Sequence, residues 1–97
     1  MAHFLTLYRF NGPIKGGGAE RFKTFKGIVA EEGGRIVFFG GLLGAYDVMT
    51  VTEYPSTRSA MKGTARIGNL ISAQTTTLPI VDEPEFLSLL KEVSDRS

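Results

Sequence analysis

With 97 residues, 42% of them hydrophobic, the chain has room for a single domain over residues 1–97 with one thin core. Eleven Lys and Arg against ten Asp and Glu leave a formal charge of +1, which excludes the basic footprint of a nucleic-acid binder and a polybasic membrane patch. Cysteine is absent, so there is no disulfide framework, no thiolate nucleophile and no thiolate metal site.

The first ten residues are too short and too interrupted for the apolar core of a signal peptide. No stretch approaches the roughly 18 apolar residues of a membrane span, and the expectation is a cytoplasmic protein. Residues 3–10 alternate as a strand, with Phe4, Thr6, Tyr8 and Phe10 on one side and His3, Leu5, Leu7 and Arg9 on the other. Asn11–Gly18 breaks this strand with Gly12-Pro13 and Gly16-Gly17-Gly18. A helix is expected from about Ala19 to Glu32, with Phe22, Phe25 and Val29 on one face and Gly33-Gly34 as a left-handed stop.

Arg35–Phe39 reads as a short strand, and Gly40–Gly44 as the turn into a second alternating strand that ends at Tyr54, an antiparallel hairpin. Ser56 is an N-cap for a second helix, in which Arg58, Lys62 and Arg66 share a solvated stripe and Gly68-Asn69 closes the last turn. A fourth strand is expected over about Leu70–Leu78, interrupted at Pro79. Asp82, Pro84 and Glu85 then start an amphipathic tail helix over about 83–95, with Phe86, Leu87, Leu89, Leu90 and Val93 as its apolar residues. The fold class is therefore α+β, a ferredoxin-like β-α-β-β-α-β sandwich with a four-stranded antiparallel sheet.

In such a sheet the helices dry one face, and the other must be solvated or covered. Leu5, Leu7, Met49 and Val51 are expected to face the helices. The other side then reads Phe4, Thr6, Tyr8, Phe10, Tyr46, Val48, Thr50, Thr52 and Tyr54, too aromatic to stand in water. Self-association through that face is the expected way of covering it.

Gly44-Ala45-Tyr46-Asp47-Val48-Met49-Thr50-Val51 resembles the G-x-Y-D-(apolar) signature of the GYD domain family. Arg21, early in the first helix, and Gly68-Asn69-Leu70 followed by Thr75-Thr76-Thr77-Leu78 resemble further parts of its pattern over residues 3–80. The resemblance implies a dimeric α/β barrel in which two sheets pack face to face, and it implies little about activity. The Gly-rich Asn11–Gly18 loop and two extra residues before the Thr-x-Thr-Leu element depart from the family pattern.

Two residues are candidates for proton chemistry. Asp47 either accepts hydrogen bonds from turn amides or acts as a general base beside Tyr46. His3, the one histidine, is either a surface residue or a proton shuttle. No metal site is expected, because no carboxylates are spaced to join His3. Lys15-Gly16-Gly17-Gly18 lacks the P-loop pattern and reads as a flexible loop or a lid. Tyr8, Tyr46, Thr50, Thr52 and Gln74 offer hydroxyls and an amide to a small polar or aromatic compound, or else satisfy one another across the interface. Arg9 and Glu53 are expected to form an ion pair near the strand ends.

The first expectation for function is a homodimer, or higher homo-oligomer, that binds a small organic ligand without a cofactor and without nucleic-acid or membrane partners. The alternatives are a cofactor-independent enzyme of monooxygenase, isomerase or cyclase type acting on a small aromatic or polyketide-like compound, and an oligomerisation or regulatory module without ligand.

Overall fold

The computed structural model describes residues 1–12 and 17–96. Its elements are β1 (Ala2–Phe10), α1 (Gly18–Glu31), β2 (Arg35–Gly41), β3 (Val48–Tyr54), α2 (Thr57–Ile71), β4 (Ala73–Ile80) and α3 (Glu83–Arg96). The strands form one antiparallel sheet in the order β2-β3-β1-β4, with α1 and α2 on one face. This is the ferredoxin-like α+β fold with an added tail helix.

Local chemistry sets most of the boundaries. α1 ends in a Schellman motif: Gly33, at φ 80°, donates its N–H to the Ala30 carbonyl, and Gly34 donates to that of Val29. The Ser56 hydroxyl accepts the Ser59 amide at 3.1 Å and starts α2. That helix runs through Gly68-Asn69, where a stop was expected, and ends at Ser72, which takes the left-handed conformation and donates its N–H to the Gly68 carbonyl. β4 accordingly begins at Ala73 and carries Pro79 inside it. Because β4 is an edge strand, the missing proline N–H costs no ladder bond.

The sheet faces are reversed relative to the sequence expectation. Phe4, Thr6, Tyr8, Thr50, Thr52 and Tyr54 are buried under the helices, with Thr50 completely inaccessible. The reason is volume. The buried face of α2 consists of Ala60, Gly63, Thr64 and Ile67, and its small members Ala60 and Gly63 leave room for large rings opposite them. Tyr54 takes that space so fully that a Cβ on Gly63 would collide with its hydroxyl. The threonines are accommodated by pairing inside: the Thr6 and Thr77 hydroxyls lie 3.0 Å apart, and Thr77 donates to Thr64 at 3.4 Å.

Leu5, Leu7, Met49 and Val51 instead lie on the open face. The register builds cross-sheet rows there. Phe38, Val51, Leu5 and Leu78 form one row over all four strands, with Gly40, Met49, Leu7 and Thr76 beside it. A β-bulge between Ile36 and Phe38 leaves Val37 unpaired and shifts the phase of β2. It sends Phe38 to the open face and Phe39 inward.

The stripe on α2 is solvated as expected but not idle. Lys62 and Arg66 reach the end of α1, where Lys62 Nζ lies 3.3 Å from Glu32 and Arg66 forks onto Glu31 at 2.6 Å and Glu32 at 3.0 Å. α3 comes within packing distance of no other helix or strand among the described residues. The Cα radius of gyration of 15.5 Å reflects this, against about 12.5 Å for a compact chain of this length.

Candidate functional site

Where β1 ends and β3 begins, the sheet and α1 diverge around a cavity of about 130 Å³. Four phenylalanines line it: Phe10 of β1, Phe22 and Phe25 of α1, and Phe39 of β2. Val48, Ile71 and Gly18 complete the apolar wall, and among the described residues Arg21 is its one charged lining residue. The rings hold one another. Phe22 and Phe39 have centroids 4.4 Å apart, Phe25 lies 5.9 Å from each of them, and Tyr8 backs Phe25 at 6.0 Å. Lys26 caps the Phe22 ring, its Nζ 4.8 Å from the centroid. Gly18 and Phe39 are the exposed members of the lining, so the cavity meets solvent beside the first turn of α1.

Asp47 frames this end of the sheet. Its carboxylate accepts the Phe10 amide at 2.8 Å, its own N–H donates to the Tyr8 carbonyl at 2.8 Å, and its carbonyl accepts from Leu42 at 2.9 Å. One residue thus ties β1, the start of β3 and the end of β2 together, and its carboxylate holds the cavity residue Phe10.

The other sequence candidates are dispersed. Tyr8, Thr50 and Thr52 lie beneath the helices, which corrects their expected place on the covered outer face. Burial pushes the Tyr8 phenol up to about 12, although the hydroxyls of Thr50 and Thr6 beside it favour the phenolate. No bond of good geometry results for Thr50, and its hydroxyl, like that of Thr52, is buried without a partner. Tyr46 is exposed in the β2–β3 connection. Gln74 faces the open side opposite Arg9, and with Asn11 and Phe10 they line a shallow polar depression of about 280 Å³. The Lys15-Gly16 part of the expected loop or lid lies outside the described residues.

His3 and Asp47 do not share a site, since they stand at opposite ends of β1, about 20 Å apart along the strand. His3 Nε2 is 2.9 Å from Glu53, which also receives Arg35 bidentately at 2.8 and 3.1 Å. The ion pair expected between Arg9 and Glu53 is therefore replaced by Arg35 and His3, because the register puts Arg9 opposite Gln74. The Arg35 hydrogen bond, against partial burial and with the charges of Arg35 and His3 assisting, holds the Glu53 carboxyl below the usual range. Among the described residues no group of three or more His, Asp or Glu side chains is placed to hold a metal ion. No helix among them is long and apolar enough to cross a membrane.

The cavity itself was not read from the sequence. Its signal was Phe22 and Phe25, one and four residues after Arg21, but the inward turn of Phe39 depends on a bulge that no local pattern announces.

No protein-family model matches the chain, and no curated protein matches it in sequence. Solved structures do. The crystal structure of Mycobacterium tuberculosis leucine response regulatory protein, LrpA, superposes with a TM-score of 0.65 at 13% identity, over 84% of this chain and 51% of that one. The chain thus spans about half the length of that protein. At this identity the likeness is one of fold: the chain shares the ferredoxin-like α+β architecture of part of LrpA.

Proposed function

We propose that the chain is a homodimeric, small-molecule-binding domain of GYD type, in which two copies pair through their open sheet faces and each carries an apolar ligand site at the end of its sheet. The observation that carries the binding function is the cavity lined by four phenylalanines with Arg21 as its one charged lining residue among the described residues. Its 130 Å³ is close to the ~150 Å³ of an apolar cavity that takes up benzene. The ligand class that fits is a small aromatic or branched apolar group with an anionic end facing Arg21. The Phe38–Val51–Leu5–Leu78 row supports pairing, since it is an apolar centre bordered by the polar Arg35–Glu53–His3 and Arg9–Gln74 positions. Likeness to a response regulatory protein supports a sensing role rather than a catalytic one.

The test has two arms. Benzoate should raise the melting temperature of the parent, and Arg21→Gln should remove most of that rise while toluene uptake persists. Val51→Lys should convert a micromolar dimer into a monomer in sedimentation velocity, with its far-UV spectrum unchanged. No benzoate effect on the parent would refute the binding site, and a monomeric parent would refute the pairing.

A further inference from the structure

α3 is a helix without a place in its own domain. Phe86, Leu89 and Leu90 fall on one stripe at i, i+3 and i+4, with Leu87 flanking, and all four are exposed, Leu87 at 55%. Glu85, Lys91, Glu92 and Asp95 occupy the rest of the surface. A helix with an apolar stripe held in water is unfavourable unless something covers it. Its own sheet does not, although that sheet has an open apolar face that begins two residues before the helix. The departure is fixed locally: Asp82 accepts the Phe86 amide on its carbonyl at 2.8 Å and the Glu85 amide on its carboxylate at 3.3 Å. This cap starts α3 directly after β4, and the helix packs on no other element among the described residues.

The proposed sheet pairing leaves a shortfall that α3 can fill. Four strands of seven to nine residues present a face of about 25 by 19 Å, so two facing sheets bury roughly 950 Å² in total. That is below the ~1,200–2,000 Å² of a stable specific interface. A helix of 14 residues is about 21 Å long and offers a stripe of roughly 200 Å². Two such stripes bring the total to roughly 1,350 Å², within the range. Outside the central row, Ile80 at the end of β4 and Val81 after it are exposed, as is Val37 on the opposite edge strand β2; β4 is the edge that runs directly into α3.

We infer that α3 is an exchanged arm: in the dimer, each copy lays the Phe86–Leu89–Leu90 stripe of α3 over the end of β4 of the second copy, against Ile80 and Val81. The contact is isologous, so one two-fold operation covers the helix stripe and the sheet margin of both chains together. This inference rests on the proposed sheet pairing and adds the arm to it.

The absence of native cysteine makes the test clean. A chain carrying both Ile80→Cys and Leu90→Cys should oxidise to a covalent dimer, and a mixture of the two single variants, one of them enlarged by a tag, should give the mixed-mass cross-link. A monomer closed by an intrachain disulfide would overturn the inference, because the arm would then cover its own sheet. Phe86→Ser combined with Leu90→Glu, at positions exposed in the single chain, should weaken dimerisation at least tenfold without changing the melting of the monomer. If Val51→Lys dissociates the dimer while the α3 variant does not, the sheet pairing stands and the exchanged arm fails. If only the α3 variant dissociates it, α3 mediates the dimer without the sheet pairing, and both that pairing and the arm laid across it are overturned.

Discussion

The Asp47 carboxylate accepts the Phe10 backbone amide at 2.8 Å, substituting for a strand carbonyl where the β1–β3 ladder runs out. This bond fixes Phe10 as one wall of the cavity. Asp47→Ala should cost roughly 1–3 kcal/mol, the loss of a charge-assisted bond that leaves a part-buried amide unpaired. Asp47→Asn keeps an acceptor and should cost less. Urea unfolding of the two variants measures the order, and an Asp47→Ala variant as stable as the parent would remove the clasp from this account.

Gly63 and the Tyr54 hydroxyl are in direct contact. Alanine at a helix-interior glycine ordinarily gains up to about 1 kcal/mol of helix propensity. Here the added methyl meets the Tyr54 hydroxyl, and overpacking of that kind costs about 1–3 kcal/mol. The strain should win, so Gly63→Ala should be destabilising. In a Tyr54→Phe background, which removes the oxygen, the penalty should shrink, and a double-mutant cycle by denaturant melts reads the coupling.

Tyr8 and Tyr54 should make the fold sensitive to alkali. Burial pushes each phenol up from 10 to about 12, with the charges of Tyr8 and Glu32 adding to the effect on Tyr54. The neutral phenol is favoured in the folded state, so above pH 10 the unfolded chain binds fewer protons than the native one and stability falls with pH. The slope approaches about 1.4 kcal/mol per pH unit for each phenol. Stability should therefore be unaffected by these groups below pH 10 and drop between pH 10 and 12. Phenolate absorbance and loss of helical ellipticity should rise together in a pH titration.

Acid should weaken the fold through Glu32 and Glu53. Burial works to raise the Glu32 carboxyl, but hydrogen bonds from Arg66 and Lys62 and their charges outweigh it and hold it below the usual range. Both carboxyls are lowered, so their contribution is present above the ordinary carboxylate range and is lost as the pH falls through their native values. Glu32→Gln should be less stable than the parent at neutral pH, with the gap closing toward pH 3 and narrowing in high salt. Thermal melts across pH and salt would show a parallel offset instead if the ion pairs contribute nothing.

Of the candidate site, the sequence displayed Phe22 and Phe25 on one helix face, Arg21 as part of a family resemblance and Asp47 as a turn residue, but not their convergence. The element order was legible because its causes are local. Alternation marks the strands, Gly33 permits the left-handed cap that ends α1, and Ser56 supplies the oxygen that starts α2. α2 passing through Gly68-Asn69 shows the limit of such punctuation, since packing against β4 carries the helix on to Ser72.

What the sequence by itself determined is this order of elements and the existence of two chemically distinct faces on each strand. It did not label the faces, because a period of two is the same whichever side points inward. Only the tertiary structure decided that, through the space that Ala60 and Gly63 leave for Tyr54 and the rings beside it. It also decided the bulge that turns Phe39 into the cavity, and the capped departure of α3 that leaves its apolar stripe for a second chain. Each depends on volumes and directions brought together from distant parts of the chain, and no local pattern carries that information.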